Sequence, residues 1–535
     1  MIRELVAESL TMPRDALRGT GRAFTLMVIA ICGVLLLPTL SFRLGVDQGV
    51  FAYMGAQLLN GHWPYVGTWE SDFPGLMFLQ AFEILLLGTS IPMFRLFDLL
   101  VQLLNAWLIY RIARQLGSRS GGYVAAALYV LIYQGYGPWN TAQREGFALP
   151  FVLQGFWLLI TAHRRPRIWT AAGIGLGVGV AVLFKPSLLF LAVAYLPLAR
   201  RPDRESLRLL VVGGLASAVP ALIVGFAYAL QGELRAIYEA CILYQGIYTQ
   251  RLRGDAPLWL FWLGKLTRLG GTTVGLAVGY APFLFVGRHR RERRMLYLGF
   301  LGSVYAVFLQ GTFAGYHYLP GLAVGAILIG TAFAILSEAA AGNQWVTVGR
   351  WRVGAPVLLA HLVVLLAVPL YVRLEPVQRV ASLQFLEPPR PNEFRNAQVF
   401  DFTESWEVAE YLREHTSADE TVQVWGYESL VYYLAERRAA SRFQMTHPLV
   451  MRVPGHPISE MQARWRLEFL EDVDRNRPAY VVVVHDDDWW WAPEQQTSSQ
   501  LLDDFPEWKR RIAERYTPDH RIGRFAIHRR ADLAG

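Results

Sequence analysis

At 535 residues, with 53 % hydrophobic and only 18 % charged, the chain is too apolar for an ordinary soluble enzyme. Its net charge of +8 does not indicate nucleic acid, because the basic residues bunch between apolar runs, where they mark the cytoplasmic ends of membrane helices. The two cysteines, Cys32 and Cys241, make neither a metal cluster nor a disulfide framework.

In chain order, Arg3, Arg14, Arg18 and Arg22 predict a cytoplasmic N-terminus. The apolar run Phe24 to Leu40 has no small-residue cleavage site after it, so it reads as a retained first span over 24–41. That span delivers Asp47 to the outer face, at the head of a long first outer loop, 42–91. The loop is aromatic, carries Trp63, Tyr65, Trp69, Glu70 and Asp72, and is punctuated by Gly61, Pro64, Gly67 and Pro74. Its last part, 75–88, is apolar but holds Gln80 and Glu83. At ~1.5 Å per residue it reaches only about 21 Å against a ~30 Å hydrocarbon core, which predicts an interfacial or re-entrant helix.

Span two, 92–112, ends in Arg111, Arg114 and Arg119. Span three, 121–137, returns to Gly137–Asn140 and Arg144–Glu145, and span four, 146–162, descends to His163–Arg167. A Gly-rich span, 168–184, climbs to Lys185–Pro186, and a short partner, 187–199, comes back. Span seven, 207–230, leads to a second aromatic outer loop, 231–268. Span eight, 269–287, ends in Arg288–Arg294, the strongest cytoplasmic marker. Span nine, 295–313, brings Tyr316, His317 and Tyr318 outside, and spans ten, 319–337, and eleven, 353–372, complete the series. The expected fold is thus a polytopic α-helical membrane domain, 1–372, with about eleven transmembrane helices. It is followed by a small extracytoplasmic α/β domain, 373–535. There Ser405 to His415 is predicted helical, capped by Asp401 or Thr403. Thr421–Trp425, Tyr480–His485 and Arg524–His528 are predicted strands, with helices near 457–475 and 499–515.

Charged groups near a membrane plane are costly and usually have partners or roles. Asp47, Glu70, Asp72, Arg144, Glu145, Lys185 and His317 all fall at the outer face, while the inner loops are uniformly basic. The bland readings are a helix cap for Asp47, helix-dipole compensation for Glu145, snorkelling for Lys185 and an interfacial aromatic belt for Tyr316–Tyr318. His485–Asp488 before Trp489–Trp491 has the composition of a metal or sugar site, but its position reads as a loop after a strand.

An acid just after the first span, an apolar helix, Gly61-x-Trp63-Pro64-Tyr65, the Trp69–Glu70 pair and Pro74 before an apolar run form a pattern. It resembles the GT-C class of polyprenyl-phosphate-sugar-dependent glycosyltransferases, above all the protein O-mannosyltransferases and the lipid A aminoarabinose transferases. The resemblance covers about the first two-thirds of the chain. It implies that Asp47 is the catalytic acid residue of the first outer loop, serving as general base toward an acceptor hydroxyl. It implies that Lys185 contacts the donor phosphate; Arg144 is the alternative, since a planar guanidinium suits phosphate oxygens. Glu145 matches an acidic residue that orients the acceptor or binds a divalent metal, and Tyr316–His317–Tyr318 matches an aromatic stretch near phosphate or sugar. Where the family often has Lys-Pro-Pro, this chain has Asp72-Phe73-Pro74, so one phosphate-holding lysine is missing. The implied activity is inverting transfer of a sugar from a polyprenyl-phosphate donor to a lipid, glycan or protein hydroxyl at the outer face of the plasma (inner) membrane. No cofactor is implied with certainty. The rival reading, a transporter or flippase of lipid-linked sugars, calls for internal repeats and mid-span ionisable residues, and the sequence shows neither.

Overall fold

The computed structural model describes residues 14–533 apart from 163–166, 200–202, 254–256, 269–278, 286–288, 343, 349–350, 372–401, 454 and 488–495. The first helix, α1 (Arg14–Leu36), tightens at Pro38 into a 3₁₀ turn, Leu37–Ser41. After an extended link the chain turns by 86° into α2 (Val46–Leu59). Gly45 occupies the N-cap of α2, and Gln48 closes the helix start by accepting the Gly45 N–H at 2.8 Å. The Gln48 amide then donates to the carbonyls of Pro138, Trp139 and Thr141 at 3.0, 3.0 and 2.9 Å. Asp47 is therefore free of the capping role that the sequence alone allowed it.

There follow α3 (Gly75–Leu87), α4 (Ile91–Leu116), α5 (Arg119–Gln134), α6 (Arg144–Ala162), α7 (Ile168–Phe184), a 3₁₀ run over Pro186–Ala199, and α8 (Arg204–Leu230). The connection after α8 is helical at Leu234–Tyr238 and Tyr244–Arg253 and in α9 (Leu258–Arg268). Then come α10 (Arg290–Gln310), α11 (Leu319–Ala341), an antiparallel hairpin of β1 (Trp345–Val348) and β2 (Trp351–Gly354), and α12 (Ala355–Tyr371).

Among the described residues four helical segments are long and apolar enough to cross a membrane: Ile91–Leu116, Arg144–Ala162, Arg204–Leu230 and Gly315–Ala341. A fifth is added if α1 and α2 count as one bent span. Helix α3 is short, as its length predicted. Residues 269–278 and 286–288 of the expected eighth span lie outside the described residues. Helix α11 is the buried centre of the bundle, packed on α5, α10 and α4, and the backbones of Gly121 and Gly330 touch where α5 crosses it. Helix α8 is the opposite case. Leu207, Leu215, Leu222, Ile223 and Phe226 all stand exposed on it, a surface suited to hydrocarbon and not to water.

The C-terminal segment holds α13 (Thr403–His415), β3 (Thr421–Trp425), α14 (Ser429–Ala435), β4 (Arg438–Ala439), α15 (Glu460–Asn476), β5 (Tyr480–Val484), α16 (Pro506–Arg515), β6 (Tyr516–Ile522) and β7 (Phe525–Arg530). The sheet order is β4-β3-β5-β7-β6, with β3 parallel to β4 and β5, and β7 antiparallel to both neighbours. Both central strands, β3 and β5, are buried along their whole length, as strands covered on two faces must be. Three strands fall where the sequence predicted them. The edge strand β6 was not legible, because it carries Pro518 and a row of exposed polar residues around a bulge. The cap expected for α13 is corrected. Phe402 is the N-cap, Thr403 Oγ1 instead accepts from Arg43 Nη1 at 2.9 Å, and Asp401 lies outside the described residues.

Helix α2 lies along this C-terminal segment. The Tyr53 and Tyr432 rings stand 5.3 Å apart, and Tyr53 Oη accepts the Ala439 N–H at 2.9 Å. A Cβ on Gly49 would come within 2.7 Å of Leu430 Cα. Gly49→Val is therefore expected to destabilise the protein by about 1–3 kcal/mol through overpacking. The check is the melting temperature in detergent, and an unchanged value would show that α2 and α14 are not tightly docked.

Candidate active site

The site is assembled from ends of the apolar helices, the loops around 60–74 and 231–268, and the C-terminal segment. Loop 60–74 is held at both ends. Tyr65 adopts φ +68°, a strained conformation for a tyrosine. There its hydroxyl donates to the Asp72 carbonyl at 2.6 Å. Further along, Gln444 accepts the Trp69 N–H at 2.9 Å and donates to the Trp69 carbonyl at 2.6 Å. The buried Trp69 ring meets Tyr244 edge-on at 4.8 Å and Trp465 at 5.6 Å. Trp69 and Tyr65 are thus pegs that fix the acids Glu70 and Asp72 between them.

A second anchor sits in α4. Arg95 is fully buried and donates to the carbonyls of Phe42 at 3.0 Å and Arg43 at 2.7 Å, and to Thr141 Oγ1 at 3.2 Å. It ties the extended link before Asp47 to the α5–α6 connection. The only sequence signal for it was a charge inside an apolar run.

These elements enclose a cleft of about 820 Å³ whose lining includes Asp47, Glu70, Asp72, Arg144, Lys185, Tyr316 and His317. Asp47 is half-buried, with Tyr316 Oη 3.5 Å from its Oδ2. This carboxyl stands at the start of α2, which packs on the C-terminal segment. Burial pushes it up to about 6, against the pull of Arg144. Glu70 is pushed above the usual carboxylate range by burial first and the neighbouring Asp72 second. Its Oε1 accepts from the Ser71 N–H at 2.7 Å.

Arg144 forms an ion pair with Asp72 and lies 5.5 Å over the Phe51 ring, while its Nε has no hydrogen-bond partner among the described residues. Lys185 pairs with Glu145, and His317 Nε2 stands 3.8 Å from the same Glu145 oxygen. The Lys185 ammonium lies 5.7 Å from the Tyr316 ring centre. Glu145 itself is buried behind the lining, and its Oε2 has no hydrogen-bond partner among the described residues.

The structure thus brings together seven of the nine residues singled out by sequence, puts Glu145 one layer behind them, and leaves Tyr318 outside the lining. The His485–Asp488 run is not part of the cleft. Asp487 closes its own loop by accepting from the Ser498 N–H at 2.6 Å and the Ser498 hydroxyl at 2.5 Å, and residues 488–491 lie outside the described residues. Sequence reasoning missed Lys265, Tyr248, Tyr427 and His447, which also line the cleft. Lys265 Nζ donates to the Leu309 carbonyl at 2.8 Å and lies 4.4 and 4.8 Å from the Phe261 and Trp262 rings; no carboxylate pairs with it among the described residues. Its one signal was being one of three lysines in an arginine-dominated chain.

Residues 71–228 match the family described as dolichyl-phosphate-mannose-protein mannosyltransferase. No curated protein matches the chain in sequence. The crystal structure of ArnT from Cupriavidus metallidurans bound to undecaprenyl phosphate is similar with a TM-score of 0.59, over 96 % of this chain and 99 % of that one, at 14 % identity. The chain has the GT-C fold. The apo form of the same ArnT is similar with a TM-score of 0.57, 13 % identity and the same coverage.

A chain with this fold and these apolar helices is a multi-pass membrane protein. Two of the acids in and behind this cleft are matched by cations, Asp72 by Arg144 and Glu145 by Lys185. Among the described residues no group of three His, Cys, Asp or Glu side chains is arranged to hold a metal ion. Glu145, the residue considered for that role, is engaged by Lys185.

Proposed function

We propose that the protein is an inverting glycosyltransferase that moves a sugar from a polyprenyl-phosphate carrier to a hydroxyl acceptor at the outer face of the plasma (inner) membrane. The acceptor is an envelope lipid, a glycan or a protein. One observation carries the reading: a half-buried carboxylate, Asp47, shares a cleft with Arg144, Lys185 and Lys265. A sugar phosphate is a good electrophile, so the enzyme's main task is to activate the acceptor. The acceptor oxygen attacks the anomeric carbon from the face opposite the phosphate, Asp47 takes its proton, and the bond from carbon to phosphate oxygen breaks. Polyprenyl phosphate leaves with the bonding pair, stabilised by the cations. The unsatisfied Arg144 Nε and the carboxylate-free Lys265 are the donors best suited to meet it, with Lys185 and His317 beside them. The similar ArnT structure holds a lipid phosphate of this class.

In this reading, residues 1–372 are the catalytic membrane domain, crossing eleven times from a cytoplasmic N-terminus, and residues 373–535 form an extracytoplasmic domain. A base must be ionised to work. With Asp47 raised to about 6, transfer is expected to be flat above that pH and to fall toward tenfold per unit below it. The pH–rate profile checks this, and a plateau persisting to pH 4 would contradict it.

Proteoliposomes given radiolabelled polyprenyl-phosphate monosaccharides and an envelope extract test the function. The expected result is label covalently joined to an acceptor, with the anomeric configuration inverted. Label that crosses the bilayer with its sugar–phosphate bond intact would instead make the protein a flippase.

A further inference from the structure

One wall of the cleft has no part in proton transfer or phosphate binding. Tyr248 comes from the second outer loop, and Tyr427 and His447 come from the C-terminal segment; all three line the cleft. Their rings run in sequence, Tyr248 standing 6.2 Å and Tyr427 6.1 Å from His447, centre to centre. His447 is braced from behind, with its Nδ1 2.7 Å from Tyr244 Oη, and Tyr244 packs on Trp69. Tyr427 feels the charges of Asp47, Glu70 and Asp72, and Tyr248 those of Asp72, Arg251, Asp47 and Arg144. The wall therefore adjoins Asp47 and the Asp72–Arg144 pair. The two lysines belong to other elements. Lys185 closes α7 over Glu145, and Lys265 reaches the Leu309 carbonyl at the end of α10.

This polarity orients a lipid-phosphate sugar. Its anion is drawn to the lysines, while Asp47 and the matched Asp72–Arg144 pair lie by the aromatic wall, which leaves the sugar ring against that wall. A monosaccharide has a C–H face that suits the negative face of an aromatic ring. Its hydroxyl rim suits the tyrosine hydroxyls, the Gln245 amide and the acids that share the lining.

We propose that Tyr248, Tyr427 and His447 form the platform that stacks on the donor's sugar, so that the C-terminal segment supplies two of the three rings that read it. This rests on the glycosyltransferase reading.

The test is equilibrium binding to the full chain in nanodiscs. The probes are bare undecaprenyl phosphate and undecaprenyl phosphates carrying mannose, glucose or galactose. At least one sugar is expected to tighten binding over the bare lipid by about tenfold, the size of a good aromatic stack. Tyr427→Ala and Tyr248→Ala are each expected to remove most of that gain while bare-lipid affinity stays within about twofold of wild type, which also shows that the variants fold. Tyr427→Phe, which keeps the ring, is expected to retain most of it. A gain that survives both alanine variants, or the absence of a gain with every sugar, overturns the platform. A wild-type chain that fails to bind even bare undecaprenyl phosphate overturns the donor reading beneath it.

Discussion

Lys185→Met is expected to lower stability by about 3–5 kcal/mol, because it leaves Glu145 buried with no opposite charge in contact. Lys185 and Glu145 form an ion pair in which both side chains are almost wholly shielded, and the second Glu145 oxygen already lacks a partner among the described residues. His317, 3.8 Å away, stands too far to replace the ammonium. Adding Glu145→Gln is expected to restore most of the loss, since a neutral amide costs far less to bury than an orphaned carboxylate. Thermal unfolding of the two variants in one detergent measures this. A Lys185→Met protein as stable as wild type would mean that the pair is solvated. The double variant also separates structure from function. If Lys185 holds the donor phosphate as well, the refolded double variant still loses about 1.5–3 kcal/mol of donor binding, a factor of roughly ten to a hundred.

Asp47→Asn is expected to slow transfer by about 10²–10⁴ while leaving donor affinity and melting temperature close to wild type. Asn matches Asp in size but cannot accept the acceptor's proton. The structure sharpens this expectation, because Gln48 and Gly45 close the start of α2 without Asp47. Asp47→Ala should therefore also fold, and be as inactive as Asp47→Asn. A structural role predicts the reverse, with Asp47→Ala unstable and Asp47→Asn active.

Much of this was legible before folding because membrane helices announce themselves. A span must be long and apolar, and the acids and cations that interrupt the pattern stand out at its ends. Asp47, Arg144, Lys185 and His317 were found in this way, and they do share one cleft. Their pairing was not legible. Lys185 follows α7 and Glu145 opens α6, forty positions apart, and nothing in either local stretch says that one neutralises the other. The lysine missing at Asp72 is explained in the same terms. Asp72 holds Arg144, and a third cation, Lys265, enters the cleft from a loop that sequence could read only as aromatic. Least visible were Tyr427 and His447. They reach the cleft only because the C-terminal segment docks on α2 through Gly49 and Tyr53, a contact between residues some 380 positions apart.

The most direct test loads the purified protein with a radiolabelled polyprenyl-phosphate sugar that it binds, adds acceptor, and counts polyprenyl phosphate released in a single turnover. Wild type is expected to release it together with glycosylated acceptor in equal amounts, and Asp47→Asn, loaded to the same extent, to release about 10²–10⁴ times more slowly. Equal release by the two proteins would contradict the claim that the Asp47 cleft carries out sugar transfer.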